Sequence, residues 1–205
     1  MIPLGTDTST EGSERYSRAE QQRARARRQR AARRFKPEQV RLLLVAEAAP
    51  EALDRYFYFP DVRTQDSLFR EVYRVATGRE PSRERKAEQL AELCDLGVYL
   101  IDLQSDPFDD RPLSVHVPRL VARCRRLDPE WIVLIKVDVF DAAYGPLREA
   151  GLAVSDVRIP FPGSGQQRRF RELFARALAA GSTPETGVER IAEDSGGRSC
   201  VRSQP

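Results

Sequence analysis

Arg41-Leu-Leu-Leu-Val-Ala-Glu-Ala-Ala-Pro50 is the stretch on which the reading of this chain turns. Residues 41–46 form an apolar run without polar alternation, and it stops at Glu47, two alanines and a proline. A short continuous run of this kind suits a strand buried on both faces. Three more runs share its character: Gly97-Val-Tyr-Leu-Ile101, Trp131-Ile-Val-Leu-Ile135 and residues 152–159. The second leads into Asp102, the third into Lys136 and Asp138, the fourth into Pro160-Phe-Pro-Gly-Ser-Gly165.

Amphipathic stretches separate the runs. Leu68, Phe69, Val72, Tyr73 and Ala76 recur at helical spacing, with Gly78 as a stop. Ser82 is a candidate cap for a helix ending near Cys94. Ser114 is a candidate cap for one carrying Val117, Leu120, Val121, Cys124 and Leu127. Asp138 can cap a helix with Phe140, Ala143, Tyr144 and Leu147. The last helix, from near Gln166, turns Phe170, Leu173, Phe174, Ala177 and Leu178 inward. Apolar strands alternating with such helices predict an α/β fold: three layers, α/β/α, around a four-stranded parallel sheet. Ligands of such sheets bind outside the carboxyl ends of the strands. The four polar run ends are therefore expected to converge on one crevice.

The chain has 205 residues, 40% hydrophobic and 32% charged, enough for one domain with a sizeable core and charged ends. No apolar run approaches the ~20 residues of a membrane helix. No apolar stretch follows the N-terminal charges, so neither a membrane partner nor a secretory signal is expected. Cys94, Cys124 and Cys200 form no CxxC pair, which argues against a zinc or iron–sulfur site and fits a reduced cytoplasm. The expected organisation is a basic arm over residues 1–36, disordered or helical, a domain over 38–180 and a flexible tail over 181–205.

The charge is uneven. Residues 15–36 hold ten basic side chains against one acid, Glu20, a local +9. The whole chain carries +3, so the remainder is −6. A basic arm on an acidic body suits a polyanionic partner such as DNA. Only three of the 34 basic residues are lysine, however, and so strong an arginine bias also fits coding composition. The segment shows no apolar stripe, so a helix there is expected to be exposed.

Four positions at the run ends can carry chemistry. Glu47 can position or deprotonate a water, or simply cap a strand end. Phe57, in the aromatic run Tyr56-Phe-Tyr-Phe59, can stack on a base; the bland alternative is a loop pinned by its own aromatics. Asp102 can contact a ligand's polar edge, or merely open a loop. Gly163, Ser164 and Gly165 open a helix bearing Arg168 and Arg169, a combination suited to phosphate. His116, the sole histidine, reads as a surface residue.

Taken in order, these pieces resemble the shorter bacterial branches of the uracil-DNA glycosylase superfamily, across about residues 40–180. In place of that superfamily's Gly-Glu-Ala-Pro-Gly stands Ala46-Glu-Ala-Ala-Pro50. In place of its Gly-Arg-Pro-Phe stands Asp54-Arg-Tyr-Phe57, whose phenylalanine would stack on the flipped base. Its uracil-reading Asn is Asp102 here, and its His-Pro-Ser-Pro is Ile159-Pro-Phe-Pro162. The resemblance implies DNA as partner, a base extruded into the crevice and no metal or organic cofactor. It gives Glu47 the water or the cationic sugar, Phe57 and Asp102 the base, and Gly163, Ser164, Gly165, Arg168 and Arg169 the backbone phosphate. The motif histidine is replaced by Ile159, and an ionised Asp102 has no proton to donate to a carbonyl. Uracil excision is accordingly expected to be weak or absent. Two other classes remain open: an inactive nucleic-acid-binding or interaction module, and a small-molecule enzyme handling a nucleotide or phosphate.

Overall fold

The computed structural model describes residues 16–62, 66–163 and 165–181; Ser164, the first fifteen residues and the stretch beyond 181 lie outside the described residues. A helix, α1 (Arg18–Arg34), precedes the first strand, β1 (Leu42–Ala46). Two helices follow, α2 (Ser67–Thr77) and α3 (Lys86–Asp95), and then β2 (Val98–Asp102). A 3-10 turn (Leu113–His116) leads into α4 (Val117–Leu127) and β3 (Trp131–Leu134). α5 (Val137–Glu149) and α6 (Gln167–Gly181) complete the order.

β1 is buried at every position because it is the middle strand. It pairs in parallel with β2 on one side and β3 on the other, giving the order β2-β1-β3. The path from β1 to β2 and the path from β2 to β3 run in opposite directions across the sheet. Right-handed crossovers therefore send α2 and α3 to one face and α4 to the other. The packing agrees: α2 lies against α3 and α6, and α4 lies against α5. Buried Glu71 on α2 ties the first group together by pairing with Arg74 and with Arg171 of α6, each at 3.0 Å.

The sheet has three strands, not the expected four. Residues 152–159 lie parallel to β3 but meet it only at two isolated bridges, Ile132 with Val154 and Ile135 with Ile159. Between these bridges Ser155 is buried, and its Oγ accepts the amide of Val157 at 3.3 Å. A side chain that takes up a nearby backbone donor competes with ladder pairing. The apolar run is real, but it forms an interrupted edge. Helix starts also differ from the caps expected. Asp66 caps α2, accepting from Phe69 N at 3.1 Å. α3 begins at Lys86, four residues after Ser82, whose amide donates to Gln89. Ser114 sits in the 3-10 turn, and Asp138 lies within the first turn of α5.

α1 is helical and docked, although no apolar stripe marks it in the sequence. A reciprocal capping box between Ser17 and Glu20 starts it. Ala24 and Arg28 are buried and Ala31 and Ala32 pack against the core, so small residues allow close approach where large apolar ones are missing. Arg28 donates to the carbonyls of Pro50 and Ala52, the latter at 3.0 Å. Arg27 stands over the Phe59 ring at 4.2 Å, and Phe35 stacks on Tyr58.

The aromatic run is consumed largely by the core. Tyr56, Phe57, Tyr58 and Phe59 are all buried. The Tyr58 hydroxyl accepts the amide of Leu100 at 2.6 Å and donates to its carbonyl at 3.1 Å, covering the open edge of β2. At the start of β2, the Gly97 carbonyl accepts from both Arg41 N and Leu42 N, at φ 77°. A Cβ there would lie 2.9 Å from Arg41 Cγ and 3.1 Å from its backbone nitrogen. We expect Gly97→Ala to cost roughly 2 kcal/mol and to lower the melting temperature by about 4–8 °C. Thermal denaturation followed by circular dichroism checks this; an unchanged melting temperature would show that the start of β2 yields without cost.

Candidate functional site

Because the chain leaves β1 toward β2 and leaves β3 toward the opposite edge, the carboxyl ends of β1 and β3 bound a topological switch point, where open sheets bind ligands. Glu47 follows β1 directly. Its carbonyl accepts from Gln104 N at 2.8 Å, so pairing with the chain beyond β2 fixes its backbone. Asp102 ends β2 in register with Ala46, at the same end of the sheet. Glu47, Phe57 and Asp102 all line one cavity of about 450 Å³, together with Lys136, Asp66 and Phe161.

Lys136 is the residue of this crevice that the sequence reading did not single out as a site. Its ammonium pairs with Glu47 Oε2, and with Asp138 Oδ2 at 3.2 Å. Partial burial works against its charge, but the hydrogen bonds to the two carboxylates outweigh it and raise its pKa. The backbone is bent to put it there: φ is 83° and ψ 135°. Its amide donates to Ile159 O while its carbonyl accepts from Phe140 N, so one residue ends β3 and starts α5. A side-chain-bearing residue in this conformation costs about 1–3 kcal/mol. The only signal in the sequence is a lysine and Asp138 closing the third apolar run.

Asp102 is half-buried, but its carboxyl is withdrawn from water. Burial raises its pKa from 3.8 to about 6, against the lowering influence of Arg123, Arg28 and a hydrogen bond with Tyr56. Burial holds the Tyr56 phenol well above its ordinary range. Phe57 meets Tyr58 and Phe69 edge to face, at 4.9 and 5.7 Å between ring centres. It is only 6% exposed. By contrast Phe161, between two prolines at the rim, is 46% exposed. Beneath the crevice Lys86 is fully buried, 2.8 Å from Asp66 Oδ2 and over the Phe69 ring. Burial lowers its pKa despite that pairing.

A second cavity, about 910 Å³, adjoins the first between α1 and α4. The two share Ala49, Tyr56, Leu100, Asp102 and Pro107. The arm that the sequence marked as basic is one wall of this groove. The glycine turn is elsewhere. Gly163 and Gly165 line neither cavity, and Gly163 instead makes room for the Phe161 ring. Arg168 is exposed and faces Glu172 at 3.5 Å; Arg169 is also exposed, and both stand outside the crevice. His116 is more enclosed than expected, with Nε2 buried and 3.5 Å from Asp109. Among the described residues no cluster of His, Cys, Asp or Glu could hold a metal ion, and no helix is long and apolar enough to cross a membrane.

No protein family, curated protein or solved structure matches the chain. What defines the molecule is thus its own architecture: an α/β protein with a small parallel sheet, and a crevice and a basic groove at the ends of its strands.

Two expectations follow. Asp102 binds its proton more tightly folded than unfolded. Between about pH 4 and about 6 the native state therefore keeps a proton that the unfolded chain releases. The group's contribution is greatest at acid pH and is lost as pH rises through about 6. Asp102→Asn should accordingly melt roughly 2–5 °C above the parent at pH 7.5 and level with it at pH 4. A lower melting temperature at pH 7.5 would show that the carboxylate's pairing outweighs its burial. Lys136→Gly removes about 1 kcal/mol or more of backbone strain and an ion pair worth at most about 1 kcal/mol at this exposure. Its melting temperature should be equal to or above the parent's; a clear fall would give the ion pair the larger share.

Proposed function

We propose that the chain is a nucleic-acid-binding protein built on the plan of the uracil-DNA glycosylases, which takes an extruded base into the crevice and excises uracil weakly or not at all. The observation that carries this reading is the junction of the two cavities at Asp102. A basic groove supplies the environment a phosphodiester needs. The smaller cavity offers what a base and its sugar need: apolar walls from Phe57, Phe161 and Leu68, and carboxylates at Glu47 and Asp102.

Hydrolysis of a glycosidic bond breaks the bond from C1′ to the base nitrogen, and both electrons leave with the base. Water adds to C1′ and loses a proton to a base such as Glu47. The sugar becomes cationic and the base anionic, so each needs a partner. Glu47 serves the first, although Lys136 already holds Oε2. For the second, Ile159 offers no polar side-chain atom and is fully buried. An ionised Asp102 would repel the departing base. Loss of one donor aimed at a developing oxyanion commonly costs ~10²–10³ in rate.

The Glu47–Lys136 pair also favours a second reading, a binding module without chemistry, because the ammonium occupies the carboxylate that water would use. The purified chain should be incubated with oligonucleotides carrying uracil, hypoxanthine or xanthine, and strand breaks counted after alkali. We expect binding with slow or no release of uracil, and loss of any release in Glu47→Ala. Rapid single-turnover release of uracil would overturn the weak-activity reading. Failure to bind any of these oligonucleotides at low salt would overturn the nucleic-acid reading as a whole.

A further inference from the structure

The α1–α4 groove has a charge that the chain itself does not neutralise. Its α1 wall carries Arg18, Arg25, Arg28 and Arg33, with Lys36 just beyond the helix. Its α4 wall carries Arg119, Arg123 and Arg126. The acids in the lining are Asp102 and Asp106. Elsewhere Arg74, Arg111, Arg158 and Arg171 each lie within 3.0 Å of a carboxylate. Among the described residues none of the eight groove cations forms such a pair.

Two of these arginines are fixed in place by neutral groups. Arg28 is 7% exposed, and its Nη2 donates to the carbonyls of Pro50 and Ala52. Its Nε is buried without a partner, although it is an obligatory donor. Arg123 Nη1 donates to the Asp102 carbonyl at 2.7 Å. Neither guanidinium is in an ion pair, and the Asp102 carboxyl that both of them influence offsets only part of their charge. Tyr56 and Tyr99 line the same space with little exposed surface, and Phe108 is the half-buried aromatic among the cations.

Cations that track a groove beside an aromatic such as Phe108 suit a single strand, whose backbone follows the charge and whose bases can stack. At about 910 Å³ the space matches a large small-molecule site. It holds a few nucleotides of one strand rather than a turn of duplex. We propose that the α1–α4 groove binds a single nucleic-acid strand, with phosphodiesters against Arg28, Arg123 and the outer arginines, and leads a base over Asp102 into the crevice. This rests on the nucleic-acid reading above and adds strandedness and path to it.

The test uses the full chain and a fluorescent 12-residue deoxyoligonucleotide of mixed sequence, single-stranded or annealed, read by anisotropy from 50 to 300 mM salt. Arg119 and Arg126 are exposed, so Arg119→Gln with Arg126→Gln leaves the fold intact. We expect the single strand to bind at least about tenfold more tightly than the duplex. The double variant should lose about tenfold for the single strand, and its salt slope should fall by about 1.4, at ~0.7 per phosphate contact. Equal or tighter binding of duplex, or an unchanged single-strand affinity in the double variant, overturns the groove assignment and leaves the broader reading standing. Binding of inorganic tripolyphosphate without either oligonucleotide overturns both in favour of a small-anion site.

Discussion

β1 has no free side. Its backbone is committed to β2 on one flank and β3 on the other, and both faces are covered by helices. Everything polar must therefore leave at its carboxyl end, and the chain crosses the sheet in opposite directions from the two flanks of that end. The crevice is the geometric consequence. Glu47 emerges from the middle of it, held by pairing that runs on past β2, and Lys136 emerges beside it from β3. Their ion pair closes the gap between the strand ends. The cost is borne at Lys136, which reverses from strand to helix within one residue and adopts a backbone conformation that suits glycine.

Much of the fold was legible because burial writes itself into composition. Three of the four apolar runs are strands, and the apolar faces read from spacing, such as Phe69 with Val72 and Phe170 with Phe174, are buried. The fourth run misled because strand pairing depends on backbone donors as well as apolar content. Ser155 diverts one of those donors locally, and no hydropathy pattern records it. The docking of α1 was hidden for a related reason. Ala24, Ala31 and Ala32 give close approach without an apolar stripe, and the anchoring bonds come from an arginine to backbone carbonyls.

At the site, position along a strand was readable and neighbourhood was not. The carboxylates at 47 and 102 were expected at strand ends, and they share a cavity. Phe57 lies there too, yet its ring is spent mostly on Tyr58 and Phe69. The glycine turn shows the reverse case. Its residues suit phosphate in the abstract, but Arg168 and Arg169 line neither cavity, and Phe161 is the residue that the segment delivers to the rim. Spacing along the chain fixes which strand end a residue leaves, while the direction of the following loop fixes what it reaches.

Arginine held by a carboxylate and arginine held by a carbonyl are different physical objects. In the α2–α6 contact, Glu71 and Glu80 together neutralise Arg74 and Arg171, and the cluster acts as a structural tie. In the groove, the carbonyls of Pro50, Ala52 and Asp102 orient Arg28 and Arg123 without cancelling their charge. Orientation is supplied in advance, and most of the opposing charge is left to a ligand, which lowers the ordering cost of binding. Asp102 sits between the two guanidiniums, yet burial still raises its pKa to about 6, so these cations fail to compensate for its lost hydration. The same carboxyl bounds both cavities, and its protonation alters the field in the groove and the hydrogen bonding in the crevice together.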